Sequence, residues 1–189
     1  MTSPTLAIHG HESAYPAALA ALTGGHYSSS LQPTADCALF AINPNTGIDP
    51  STIELWRSYD EFLMPRIVIV TGLTEGEGDF DDAILLANRV LDKLFVQFLI
   101  LHDDDGSPIA LIDLESLKIH NYKTQEVFPA DTDHETLVSE FRQEYFESKD
   151  ALGDNGFKAG LLFPAIPLIE RYNVGEDILQ HYLDLLTKA

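Results

Sequence analysis

The side chains able to do chemistry fall into small groups, and each group lacks a member. His9-Gly10-His11 places two imidazoles on one side of an extended strand, with His26 farther along. No acid or cysteine completes a ligand set at a known spacing, so no metal centre is expected. His102-Asp103-Asp104-Asp105-Gly106 has the opening acids of a calcium loop without its distant bidentate glutamate, and reads as a solvated hairpin turn. Glu75-Gly-Glu-Gly-Asp79 reads as loop and helix cap. No Ser-His-Asp or Cys-His order stands out, and Cys37 lies inside an apolar run, where a buried thiol is inert.

The elements that would position these groups belong to one domain spanning residues 1–189. With 45% hydrophobic and 10% aromatic residues, the chain can bury a core unaided. A single cysteine rules out an internal disulfide framework and suits a reducing compartment. No apolar run reaches the length of a membrane span, and Met1-Thr-Ser-Pro-Thr lacks the layout of a signal peptide, so a soluble cytoplasmic protein is expected. Thirty acidic against 11 basic residues give a net charge of −19, a field that repels phosphate-rich ligands. Nucleic acid is therefore not an expected partner, and a triphosphate would need local positive charge in its pocket.

Short apolar runs alternate with helical patterns. Strands are expected at Thr5–His9, Asp36–Asn43, Arg66–Thr71, Phe95–Leu101 and Leu161–Ile166. Helices are expected at Ala14–Leu22, from Asp49-Pro50 onward, at Asp79–Lys93, at Asp133–Ser148 and at Glu176–Thr187, the last with Ile178, Leu179, Tyr182, Leu183 and Leu186 inward. Ile109–Leu114 and Leu117–Tyr122 suit a hairpin or a small added sheet, and Asp150–Lys158 a mobile loop. Such alternation implies a mainly parallel sheet covered on both faces.

The stretch ADCALFAINPNTGIDPSTIELWRSYDEFLMPRIVIVTGL, Ala35 to Leu73, resembles the middle of the elongation factor G GTP-binding domain. Ala35-Asp36, Gly47, Thr52, Trp56 and Pro65-Arg66 fall at that family's spacing, and Asp79-Phe80-Asp81 continues the likeness. Residues 108–150 are similar to the family's insertion, with Asp113-Leu114 and Leu117-Lys118 matching its pattern. Phe163-Pro164 and Val174 through Leu186 are similar to the family's domain end, the elongation factor G-like paralogues being nearer than the translating factor. The resemblance implies a three-layer P-loop NTPase-like α/β fold.

Departures from the family pattern cluster where nucleotide would bind. The phosphate loop G-x-x-x-x-G-K-[ST] is replaced by Gly10-His11-Glu12-Ser13-Ala14-Tyr15-Pro16-Ala17. The first glycine and the following His11 survive, but Tyr15 replaces the second glycine, Pro16 the lysine and Ala17 the magnesium-binding hydroxyl. Losing two or three charge-assisted hydrogen bonds lowers affinity by about a thousandfold or more. Only residues 23–34 join the first helix to Ala35, where the family has two strands, the first switch and the D-x-x-G turn. The guanine-reading N-K-x-D is replaced by Thr71-Gly72-Leu73-Thr74, and the later Ser-Ala signal by Pro167-Leu168 or a neighbour.

The expectation is therefore a catalytically inactive pseudo-GTPase, without cofactor, serving as a protein–protein interaction or regulatory module. The alternative is a weak nucleotide or small-ligand binder using the vestigial pocket of Gly10, His11, Ser13, Tyr15, Pro16, Ala17, Thr71, Gly72 and Thr74. Without the switch-region strands, Thr5–His9 should form a sheet edge, open to an unknown partner or a homodimer.

Overall fold

The computed structural model describes residues 3–152 and 155–187. In chain order its first half comprises β1 (Leu6–His9), α1 (Pro16–Thr23), β2 (His26–Tyr27), β3 (Cys37–Ile42), α2 (Pro50–Ser58), β4 (Arg66–Val70) and α3 (Phe80–Val90). There follow β5 (Phe98–His102), β6 (Pro108–Asp113), β7 (Lys118–Asn121), β8 (Glu126–Pro129), α4 (Thr132–Leu152), β9 (Ala165–Pro167) and α5 (Glu176–Thr187). Five strands form a parallel sheet in the order β2-β1-β3-β4-β9, and β5-β6-β7-β8 form a separate antiparallel sheet.

Every residue of β1, β3 and β4 is buried, as expected of parallel strands covered on both faces. Phe80, Ala83 and Ala87 of α3, Trp56 of α2 and the Ile178–Leu183 face of α5 share their core. The helix starts follow local chemistry. Asp49 caps α2 through the Thr52 amide with Pro50 at its first position, and Asp79 and Asp82 form a reciprocal capping box on α3. A second, smaller core of Leu99, Ile112, Leu114, Ile119, Val138 and Tyr145 joins the antiparallel sheet to α4.

Three expectations need correction. Thr5–His9 is not a sheet edge, because β2 pairs with β1 on its outer side, Ala7 opposite His26 and Ile8 opposite Tyr27. Gly24 leaves α1 with φ 70°, and a side chain on Gly25 would overlap Ile8, so two glycines let the chain turn back against β1. The run at Phe95–Leu101 does not extend the parallel sheet. Only Phe95 bridges to Pro164, and β5 proper opens the antiparallel sheet. The last parallel strand begins at Ala165 rather than Leu161, since Gly156–Leu162 is occupied by turns. The loop expected at Asp150–Lys158 falls partly on Gly153 and Asp154, outside the described residues, while α4 continues to Leu152. No described helix is long and apolar enough to cross a membrane.

Arg66 is 1% exposed at the start of β4, with its guanidinium 4.6 Å from the Trp56 ring centroid and 4.4 Å from that of Phe163. One guanidinium nitrogen donates to the Trp56 carbonyl at 2.7 Å and another meets Asp60 at 2.7 Å. A lysine has neither the planar stack nor the second donor direction. Arg66→Lys should therefore lower stability by about 2–3 kcal/mol in urea denaturation. Arg66→Met should cost less, about 1 kcal/mol, because the abandoned Asp60 carboxylate is more than half exposed and stays solvated.

Candidate functional site

In an open parallel sheet, ligands bind where loops leave the carboxyl ends of the strands. Here those loops follow β1 (residues 10–15), β3 (residues 43–49) and β4 (residues 71–79). They converge, and their polar groups bond to one another. The Asn43 amide donates to the Ser13 carbonyl at 2.9 Å, while its oxygen accepts from the Asn45 backbone and side chain. Asn45 reaches on to the Gly72 carbonyl and accepts from the Gly78 amide. Thr71 Oγ1 donates to the Ala14 carbonyl at 2.9 Å, and Ser13 Oγ donates to Thr46 Oγ1 at 2.9 Å. Asn43 and Thr71 are buried, so these bonds satisfy groups that water cannot reach.

The anticipated pocket positions divide accordingly. Gly10 has φ 140°, and a side chain there would lie 2.5 Å from the Ala41 carbonyl oxygen, so the fold itself demands glycine. His11 caps a 3-10 turn at Glu12–Ala14, with Nδ1 3.3 Å from the Ser13 amide and 2.8 Å from Ser13 Oγ. Tyr15 adopts the left-handed conformation, φ 58° and ψ 42°, where a glycine would be unstrained. Its hydroxyl donates to Glu75 at 2.9 Å, and that hydrogen bond and the carboxylate's charge raise the phenol's pKa. Pro16 is the buried first residue of α1, whereas Ala17 faces solvent. Gly72 has φ 69° and lies against the Asn43 side chain. Tyr15, Thr71, Gly72 and Thr74 line one cleft of about 310 Å³ with Glu170 and Arg171. Gly10 and His11 line another on the far side of the turn.

Of the carboxylates on these loops, Glu12, Glu75 and Glu77 are exposed while Asp49 and Asp79 are half-buried helix caps, and Arg171 is the cation lining the Tyr15 cleft. No group of three or more metal-ligating side chains occurs among the described residues. The acids of the 103–107 turn cap it instead, Asp103 accepting from the amides of Asp105 and Ser107. Asn43, Asn45 and Thr46 were not singled out from the sequence. The Asn-Pro-Asn-Thr-Gly run after a buried strand was the available signal, since such residues collect where loop backbones need side-chain partners.

His9, anticipated as half of an imidazole pair, is fully buried and points away from His11's partners. The Ser28 carbonyl can only accept, which puts the neutral ring's proton on Nδ1 and leaves Nε2 to accept from the Tyr59 hydroxyl at 2.7 Å, while Tyr59 Oη accepts from the Gln32 backbone amide at 3.0 Å. Nδ1–H then donates to the Ser28 carbonyl at 2.7 Å. This chain of bonds holds residues 28–32 beside β1. Burial lowers the His9 pKa, partly opposed by the Ser28 bond.

Two measurements test these assignments. Asn43→Ala strands the Ser13 carbonyl and frees the β3 and β4 loops, and should cost about 2 kcal/mol with faster amide exchange over residues 10–15. A histidine with depressed pKa contributes stability fully present above its ordinary value of about 6.5 and lost as pH falls below it, with a slope of at most about 1.4 kcal/mol per unit. Asp81 is shifted upward by burial and acts in the opposite sense, while Asp36, held down by hydrogen bonds from Thr5, acts only at lower pH. His9→Gln leaves both unchanged. Its stability should therefore be flatter than the natural chain's between about pH 7 and 5.

Comparison with known proteins adds a distant relationship. No family model matches the chain. Elongation factor G-like proteins of two Mycobacterium tuberculosis strains are each 35% identical over 107 residues, 54% of this chain and 14% of theirs. A crystal structure of a protein from Thermus thermophilus superposes with a TM-score of 0.64 at 23% identity, covering 80% of this chain and 26% of that one. The chain thus shares its α/β fold with a much longer protein and is distantly similar, over about half its length, to elongation factor G-like proteins that it spans only in small part.

Proposed function

We propose that this chain is a GTP-binding-domain scaffold without nucleotide chemistry, acting as a protein–protein interaction or regulatory module. The observation that carries the reading is the closure of the loops at the strand ends. A phosphate loop needs open backbone N–H groups and a cation. The amides of Ser13, Ala14 and Tyr15 are instead taken up inside the turn, by His11 Nδ1 and by the carbonyls of His11 and Glu12, and Tyr15 and Pro16 stand in place of glycine and lysine. No side chain from Thr71 to Thr74 carries a carboxylate to read guanine. The acidic surface works in the same direction, disfavouring nucleotides and nucleic acid alike.

A second reading, a small-ligand site, is favoured by the cleft of about 310 Å³ beside Tyr15 and Arg171. Calorimetric titration separates the two. GTP, GDP and ATP, each with and without magnesium, should give no saturable heat at millimolar nucleotide. Magnesium-dependent micromolar binding would overturn the proposal, and weak magnesium-independent heat would favour the second reading. Restoring the loop in the combined variant Tyr15→Gly, Pro16→Lys, Ala17→Ser should yield no GTP hydrolysis, because residues 71–74 still lack a base-reading carboxylate and residues 23–34 still lack a D-x-x-G turn.

A further inference from the structure

Away from the strand-end loops, an apolar groove runs between α3 and α4. One cavity of about 320 Å³ has Leu94, Val96 and Leu99 in its lining, and another of about 420 Å³ continues across the antiparallel sheet. The two share Asp81, Leu99 and Phe141. Four large apolar side chains of the lining are exposed: Leu85, Phe128, Leu137 and Phe141, at 59%, 41%, 67% and 45%. Leu137 and Phe141 are one helical turn apart on α4. Apolar groups gathered along one groove differ from the single exposed leucines of an ordinary surface.

Asp81 lies in the wall of both cavities, in the first turn of α3. Its carboxylate has no hydrogen-bond or ion-pair partner among the described residues. Burial raises its pKa, the neighbouring Asp79 and Asp82 add to this, and His102 opposes it. Asp81 is exposed at the mouth of the groove, so a carboxylate without a bound partner stands beside apolar side chains where an incoming cation can pair with it. Glu144 of the same groove already holds Lys93 at 2.7 Å, so that lysine is engaged elsewhere.

We propose that this groove receives an amphipathic helix of a partner protein, its apolar face between α3 and α4 and a lysine or arginine of that helix on Asp81. Charge selects this occupant. With a net charge of −19, the chain favours a basic segment, whereas a second copy would bring the same negative field. A helix suits a groove walled by two helices, its anchors spaced by one turn like Leu137 and Phe141. The proposal gives a partner chemistry to the interaction-module reading. The nucleotide titration tests that reading separately, and neither result decides the other.

The probes are fluorescent peptides of about five helical turns titrated at about 0.15 M salt. One is a leucine–lysine amphipathic helix, one its leucine–glutamate counterpart, and one a scramble of the basic peptide. The basic helix should bind saturably, one to one, and the other two should not. Asp81→Asn and Phe141→Ser should each weaken binding about tenfold. Asp104→Asn, the same charge change outside the groove, should leave it unchanged. Leu137→Ser replaces Phe141→Ser should the latter lose its native circular dichroism. Equal weakening by Asp104→Asn would mean general charge attraction and would sink the proposal. Absence of binding would sink it too, as would self-association of the natural chain abolished by Phe141→Ser.

Discussion

The guanidinium of Arg66 packs against the rings of both Trp56 and Phe163, which meet edge to face, and the surrounding architecture depends on that cluster. It joins the end of α2 and the start of β4, neighbours in sequence, to the distant segment leading into β9. Phe40 of β3 extends it, its ring edge-on to Trp56 at 4.9 Å, and Tyr59 beyond leads to His9. The Trp56 indole N–H is anchored on Asp92 at 2.7 Å. One buried charge is thus tolerated because flat aromatic faces, a carbonyl and a partly solvated carboxylate share it. The Trp56 and Pro65-Arg66 positions, which carry much of the likeness to elongation factor G, serve packing.

The same logic governs the strand-end loops. Fully buried β1, β3 and β4 fix where three loops emerge, and the loops' carbonyls and amides then need partners. In a nucleotide-binding protein a ligand supplies some of them. Here Asn43, Asn45, Thr71 and Ser13 supply them from within the chain. Gly10 and Gly72 look like remnants of a binding site, yet each is required by a close approach, to Ala41 and to Asn43 respectively. Backbone contact alone is enough to demand glycine at both positions.

How much was legible in the sequence follows from how local each cause is. CALFAI and RIVIV announce buried strands through unbroken apolar runs, and Asp49-Pro50 and Asp79 announce helix starts through caps a few residues away. The inward face of α5 was equally plain, although Leu186 is only partly buried. β2 and β8 were not legible, being two and four exposed residues with no alternation to betray them. The open edge expected at Thr5–His9 failed for that reason: the pairing of β2 is decided by Gly24-Gly25 and by His9 holding Ser28, not by strand propensity. In the candidate site, the replacement of glycine and lysine by Tyr15 and Pro16 was readable, but the Asn43 bond to Ser13 spans 30 residues and leaves no periodic trace.

Charge sets the last constraint. Of the 11 lysines and arginines, Arg66, Lys93, Lys123 and Lys149 are each held by a carboxylate, and Arg142 is turned onto the Leu114 carbonyl. Cations drawn into internal contacts leave the outward field to the 30 acids. Isolated surface ion pairs contribute little stability, so their larger consequence here is for recognition. An anionic ligand approaching such a surface meets repulsion before it reaches any cleft, while a cationic segment is drawn in and then sorted by shape. Asp81 is where both selections meet, a carboxylate without a partner among the described residues at the mouth of a groove lined largely by apolar side chains.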